Sequence, residues 1–392
     1  MTMPVRRMLE TTLKRALLFL AVIVLIGLPY GCSSGKQKEE TPRAPVGGVL
    51  LRGAGATFPS LLYKRWFQIY QKDHPKIVVI YDSVGSGEGI RRFISSNLKE
   101  GEMVDFAASD AAMTDEDMGR VAGGVVLLPV TAGSVVLAYN LPEVEGDLKL
   151  SRRAYAGIFT GQVKTWNDPL IAKTNPGIKL PGFSIATVVR QDSSGTTYAF
   201  TKHLDAISEI WRTQHGPATL VNWPGNVMRA KGNEGVAARI QQSIGSIGYV
   251  SYEFARRVGL KVAALENKEG RFVKPTEQSC AAAFEAAQLP ENLRLFLPDP
   301  AGPDSYPIVT FSWILLYKNY EDSEKAKAVR DLFQWTLSAG QQHAPGLGYI
   351  PLPVNVTEKA LQALATVGVS AADSKNRISA PSEEQRKVPG IN

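Results

Sequence analysis

From Val49 onward, short β-rich runs alternate with stretches of helical spacing, a pattern that predicts an α/β architecture. Leu62, Trp66 and Ile69 stand at i, i+4 and i+7 after Thr57-Phe58-Pro59, and the proline suits a first helical turn. Residues 77–81 form a β-branched run, Gly85-Ser86-Gly87-Glu88-Gly89 predicts a turn, and Ile90, Phe93 and Ile94 resume helical spacing. This unit of strand, glycine loop and helix recurs. Residues 185–190 read as a strand, Gln191-Asp192-Ser193-Ser194-Gly195-Thr196 as a small polar loop, and Phe200, Leu204, Ile207 and Trp211 as one helical stripe. The core continues late, through the very apolar residues 308–317 and a helix with Val329, Leu332, Phe333 and Leu337 on one face. Residues 371–392 carry Ala, Ser, charge and Pro with no apolar period, and are expected to form a poorly ordered tail. No internal repeat is evident.

Ahead of this body, Arg6, Arg7, Lys14 and Arg15 flank an almost unbroken apolar run at residues 16–28, the pattern of an export signal. The run has 13 residues, against the about 20 that a bilayer core requires, so residues 1–31 are expected to be a cleaved signal peptide rather than a stable transmembrane helix. Gly31-Cys32 resembles a bacterial lipoprotein box, which would make Cys32 the lipidated N-terminus of the mature chain. Pro29 and Tyr30 depart from the aliphatic and small residues usual before that cysteine. The other reading is an exported protein in which Cys32 is removed or left as a stray thiol. Residues 32–47 are rich in Pro, Gly and charge and read as a flexible tether, which would let the folded body stand off the membrane holding its lipid anchor.

Composition narrows the possibilities. At 392 residues, 44% hydrophobic and 21% charged, most of the chain cannot be disordered, and two lobes are expected. The formal charge of +7 falls short of a nucleic-acid footprint, and without residues 1–31 it shrinks to 40 basic against 36 acidic residues. Two cysteines, Cys32 and Cys280, are too few for a disulfide framework or a cysteine-clamped metal; Cys280 reads as a buried small hydrophobe in an Ala-rich helix. Nucleotide motifs fail as well. Gly53-Ala54-Gly55-Ala56-Thr57-Phe58 has Phe where a dinucleotide fingerprint needs its third glycine, and Gly35-Lys36 is followed by Gln37 instead of a P-loop hydroxyl. His74, His203, His215 and His343 stand far apart, and no GxSxG elbow centres on the loop serines.

Three small polar loops remain, each placed to open a helix: Gly55-Ala56-Thr57-Phe58, Gly85-Ser86-Gly87 and Ser193-Ser194-Gly195-Thr196. Helix N-termini carry unpaired N–H groups and the positive end of the helix dipole, so several converging would bind an oxyanion without a metal. Any one of these Ser or Thr residues is equally an ordinary N-cap. Arg190, at the end of a strand beside the third loop, could make paired bonds to phosphate-like oxygens. Asp110, after Asp105-Phe106-Ala107-Ala108-Ser109, is an odd component of an anion site unless the anion carries a proton, because an ionised carboxylate only accepts hydrogen bonds. Hydrogen phosphate can donate one; sulfate at neutral pH cannot. In isolation Asp110 would be read as a helix cap and Arg190 as half of a surface ion pair with Asp192.

These segments, Gly53-Ala54-Gly55-Ala56-Thr57-Phe58-Pro59, Gly85-Ser86-Gly87, Asp105-Phe106-Ala107-Ala108-Ser109-Asp110-Ala111 and Arg190 with Ser193-Ser194-Gly195-Thr196, closely resemble the bacterial phosphate-binding proteins of phosphate-specific ABC transporters. Asn175-Pro176-Gly177, Lys231-Gly232-Asn233-Glu234-Gly235 and Ile247-Gly248-Tyr249-Val250 follow in the same order, so the resemblance spans roughly residues 50–350. It implies a two-lobed type II periplasmic-binding-protein (Venus-flytrap) fold with two hinge crossings, near residues 130–134 and 308–312. Lobe I would comprise residues 48–131 and 312–370, and lobe II residues 132–311.

By the same resemblance phosphate would be held by Thr57, Phe58, Ser86, Asp110, Arg190, Ser194, Gly195 and Thr196. Asp110 would accept the phosphate proton, and Asp192 would brace Arg190. The sequence departs from the family in having Gly87-Glu88-Gly89 where many members have Ser-Gly-Gly, which raises the question of whether Glu88 weakens anion approach; it also has Ser193 before Ser194. The implied function is extracytoplasmic capture of inorganic phosphate, by a monomer without cofactor, metal or nucleic acid, and delivery to membrane permease subunits with no reaction catalysed. The alternatives are a receptor for another oxyanion, a non-transporting surface sensor or adhesin on the same fold, and a phosphoester hydrolase using Ser194 or Ser86.

Overall fold

The computed structural model describes residues 43–370 apart from Ser96, Glu100, Asn226 and Ala286. The expected signal peptide at residues 1–31, Cys32, most of the expected tether and the expected tail at 371–392 lie outside the described residues. Among the described residues no helix is long and apolar enough to cross a membrane.

The first lobe opens with β1 (Val49–Gly55), α1 (Ser60–Asp73), β2 (Ile77–Ser83), α2 (Ser86–Ile94) and β3 (Phe106–Ser109). It is followed by the long strand β4 (Val125–Tyr139). The second lobe contributes β5 (Ala186–Arg190), α3 (Gly195–Ile207), β6 (Val227–Ala230), α4 (Gly232–Gln242) and β7 (Ser246–Ser251). The chain then returns through β8 (Val309–Tyr317) to α5 (Ser323–Leu337). These strands form one sheet in the order β2-β1-β3-β8-β4-β7-β5-β6, with the short strand Lys261–Val262 pairing against β4. Within it β1, β2 and β3 are parallel, as are β5, β6 and β7.

β4 joins the two sets. Val125 to Ser134 pair antiparallel with β8, and Val135 to Tyr139 pair antiparallel with β7. Its sequence, VVLLPVTAGSVVLAY, is buried at every position but the first, which suits a strand covered on both faces. The two segments read from the sequence as crossings are neighbours in this ladder, Val309 opposite Ser134 and Ser312 opposite Thr131. The register slips between Ser312 and Trp313, where the partner strand carries Pro129, which has no N–H to give a ladder.

The helical stripes fall on buried faces: Leu62 and Trp66 in α1, and Val329, Leu332, Phe333 and Leu337 in α5. One stripe needs correction. Phe200, Leu204 and Ile207 belong to α3, but Trp211 lies in a separate helix, Glu209–Gln214. Ser208 is extended between them (φ −131°, ψ 115°), and its hydroxyl caps the second helix by accepting from Trp211 N–H at 3.2 Å. Cys280 is buried in the helix Glu277–Ala282, where burial pushes its thiol pKa up to about 12. Asn175 is also structural: its amide donates to the Lys149 and Ile171 carbonyls and its oxygen accepts from Lys149 N–H.

Candidate functional site

The loops that follow β1, β2 and β3 meet those that follow β5 and β6, so the site lies off the carboxyl ends of two parallel strand sets, where open α/β sheets bind ligands. Thr57, Ser86, Asp110, Arg190, Ser194 and Thr196 are all buried. Contacts pass directly between the lobes. Gly195 N–H donates to Ser86 Oγ at 3.1 Å, Gly87 N–H to the Ser193 carbonyl at 3.2 Å, and Asn233 Nδ2 to Thr57 Oγ1 at 2.9 Å.

Gly195 is at this crossing for a steric reason. A Cβ there would stand 2.6 Å from Asp110 Cβ and 2.7 Å from Asp110 N, so no side chain fits between the start of α3 and the end of β3. Ser194 serves as the N-cap of α3, its oxygen accepting from Thr197 N–H at 3.1 Å; the capping reading is correct for the oxygen and leaves the hydroxyl hydrogen free of that duty. Ser86 Oγ likewise accepts, from Gly195 N–H and at 3.4 Å from Asp110 N–H. Phe58 is fully buried under the site; its carbonyl accepts from Tyr349 O–H at 2.7 Å and its ring meets Tyr349 edge-on.

Arg190 is 2% exposed and held on two sides. Its Nε donates to Asp192 Oδ1 at 2.9 Å and its Nη2 to Asp192 Oδ2, while its backbone N–H donates to the Tyr249 hydroxyl oxygen at 3.1 Å. Gly232 N–H adds a third bond to Asp192, at 2.9 Å. Burial alone would raise the Asp192 pKa, but the Arg190 bonds and charge and the Gly232 N–H outweigh it and hold the carboxylate below its ordinary range. This is a buried pair rather than a surface one, and the guanidinium keeps N–H groups that Asp192 does not occupy.

Asp110 is 1% exposed. Burial raises its pKa from 3.8 to about 7, against the opposing pull of the Ser312 hydroxyl, which donates to Oδ1 at 2.8 Å, and of the Arg190 charge. The carboxyl is therefore poised between its two forms near neutrality rather than simply ionised.

Glu88 does not leave a free negative charge. It accepts from Arg91 Nε at 2.7 Å and Arg92 Nε at 2.9 Å, and these bonds, Arg91's first, hold its pKa at about 2. Three residues that sequence reasoning did not assign to the site prove to hold it in place: Ser312 on Asp110, Tyr249 on Arg190, and Asn233 on both threonines. Asn233 and Tyr249 lay within matched motifs; nothing local marked Ser312.

A family model described as a PBP superfamily domain matches residues 35–339. The chain is 39% identical over 328 residues to the phosphate-binding protein PstS of Pasteurella multocida, covering 83% of this chain and 92% of that one. It is 39% identical over 309 residues to PstS of Haemophilus influenzae, covering 78% and 90%. Among solved structures, a high affinity periplasmic phosphate-binding protein determined with phosphate at pH 8.5 superposes with a TM-score of 0.66 at 23% identity, covering 85% of this chain and all of that one. The chain belongs to the PBP superfamily, within the family of PstS phosphate-binding proteins.

Proposed function

We infer that this chain binds inorganic phosphate outside the cytoplasm and delivers it to the permease of an ABC-type importer, catalysing no reaction. The observation that carries the reading is the polarity of the site. Thr57, Ser86, Ser194 and Thr196 each use the hydroxyl oxygen to accept N–H bonds from the protein, so their hydrogens turn elsewhere. With the Arg190 N–H groups that Asp192 does not take, and the N–H groups of Thr57 and Phe58, they supply donors suited to an oxyanion, while Gly195 N–H serves the site through the Ser86 oxygen that it occupies. Asp110 is the one acceptor among them, and in its ionised form it matches an anion that still carries a proton. Sulfate offers it none, and discrimination by a hydrogen bond of this kind reaches about 10⁴–10⁵-fold.

The mechanism is closure of two lobes on the ligand, Thr57, Phe58, Ser86 and Asp110 from one and Arg190 to Thr196 from the other. Export by residues 1–31, anchoring at Cys32 and action as a monomer complete the proposal. Lobe boundaries at residues 131 and 312 suit the two antiparallel crossings, since the paired β4–β8 segment lies at both positions.

The test is calorimetric titration of phosphate, and separately of sulfate, into residues 33–392 stripped of ligand by unfolding and refolding. Tight one-to-one phosphate binding at pH 8 with no sulfate signal is expected. Binding of both anions would remove the proton-based selectivity, and binding of neither would remove the receptor reading.

A further inference from the structure

Asn233 is fully buried, and its side chain is engaged at both ends. Its Oδ1 accepts from the backbone N–H of Ser251 at 3.0 Å. A backbone N–H can only donate, so this bond fixes which way the carboxamide points and directs both Nδ2 hydrogens at the ligand loops. One goes to Thr57 Oγ1 at 2.9 Å and the other to Thr196 Oγ1 at 3.1 Å, while Asn233 N–H adds a bond to Thr57 Oγ1 at 3.2 Å. Thr57 belongs to the first lobe, whereas Thr196, Ser251 and Asn233 belong to the second.

The residue before it makes the approach possible. Gly232 has φ +67°, and a Cβ there would already stand 3.3 Å from Thr57 Cγ2, so the start of α4 reaches the first lobe only because this position is glycine. The same corner supplies the Gly232 N–H that braces Asp192.

We propose that Asn233 is a positioning residue for the anion site, a cross-cleft latch that occupies the oxygens of Thr57 and Thr196 and so turns both hydroxyl hydrogens toward the ligand. The proposal rests on the phosphate-binding reading and adds to it a reason for the direction of two donors. It also says what a ligand gains from closure: the latch forms only when Thr57 meets the second lobe, so its loss falls on release of bound ligand rather than on first encounter.

The experiment measures phosphate association and dissociation for the wild-type chain and for Asn233→Leu, Asn233→Asp, Thr57→Val and the Thr57→Val/Asn233→Leu double variant. Leucine keeps the shape and removes the donors. Three side-chain hydrogen bonds go, the two to the threonines and the one from Ser251 N–H; through the two threonine bonds affinity is expected to fall about 10–100-fold, mainly through koff, while the ligand-free protein keeps its cooperative unfolding. Aspartate would accept from the threonine hydroxyls and reverse them, so Asn233→Asp is expected to weaken binding more than about 10³-fold at pH 8. Because Asn233 acts through Thr57, Asn233→Leu should cost at least about tenfold less in the Thr57→Val background than in the wild type. Purely structural damage would not depend on the Thr57 hydroxyl. Asn233→Leu within about threefold of wild-type affinity, or additive effects in the cycle, would overturn the proposal while the phosphate-binding reading stands; a wild-type chain that binds no phosphate would overturn both.

Discussion

Replacing Asp110 by Asn should stabilise the ligand-free protein at alkaline pH while spoiling its choice of anion. The carboxyl is 1% exposed and its pKa rises from 3.8 to about 7 on folding. Well below pH 3.8 it is protonated in both the folded and unfolded states, and its ionisation takes nothing from stability. Between pH 4 and 7 the unfolded chain gives up this proton while the folded chain retains it, so stability falls as pH rises. Above pH 7 both forms are ionised and the deficit is constant. At about 1.4 kcal/mol per tenfold change in proton affinity, the rise amounts to about 4 kcal/mol, an upper bound because the native state relaxes around a buried charge.

Asparagine keeps an oxygen for the Ser312 hydroxyl and removes the charge. Urea unfolding of stripped protein at pH 4.5 and pH 8 is the assay. The stability advantage of Asp110→Asn over wild type should shrink at pH 4.5 to about a quarter of its size at pH 8. The variant's phosphate-over-sulfate ratio at pH 8 should narrow by about tenfold or more, since a neutral amide no longer rejects an unprotonated anion. Parallel stability profiles across this range would refute the burial argument, and an unchanged anion ratio would refute the role given to Asp110.

Three further outcomes follow from the same geometry. In the wild-type chain, sulfate exclusion should hold above pH 7 and weaken as pH falls through about 7, because a protonated Asp110 can donate to sulfate; competition titrations at pH 5.5 and 8.5 read this directly. Gly195→Ala drives a methyl group against Asp110 Cβ at 2.6 Å and should lower phosphate affinity about 10–100-fold by obstructing closure, measured by titration beside an unfolding curve that shows the fold intact. Glu88→Gln should leave phosphate affinity within about threefold of wild type, because Arg91 and Arg92 already answer this carboxylate and surface pairs of this kind contribute little; a large gain in association rate at low salt would contradict that.

The strand, loop and helix units around residues 77–94 and 186–207 were legible because each needs only local information, β-branched runs, small polar loops and apolar stripes, although the first helix begins at Ser86, inside the turn expected over residues 85–89. The break at Ser208 was not read, because the apolar stripe runs on without a gap to Trp211. Legibility ends where the partner is chosen by sheet register. Asp110 and Ser312 are 202 positions apart, and Thr57 and Asn233 are 176 apart; what brings each pair together is the order of strands, which no periodicity encodes. The charge state of Asp110 was hidden for the same reason. Sequence names a carboxyl, and only packing tells how little water it keeps.

Ser312 lies where the β4–β8 ladder slips register, and its hydroxyl is the donor on Asp110. One side chain thus belongs to the place where the paired crossings are least regular and to the group proposed to set anion choice. A substitution there made to alter how easily the crossings flex also removes a bond that lowers the Asp110 pKa, and so moves the onset of sulfate tolerance to higher pH. On the proposed role of Asp110, stiffness and selectivity are therefore not independent variables. On that reading, engineering for faster release at this position should alter what is released, and variants in which the two properties separate should carry their changes elsewhere along the crossings.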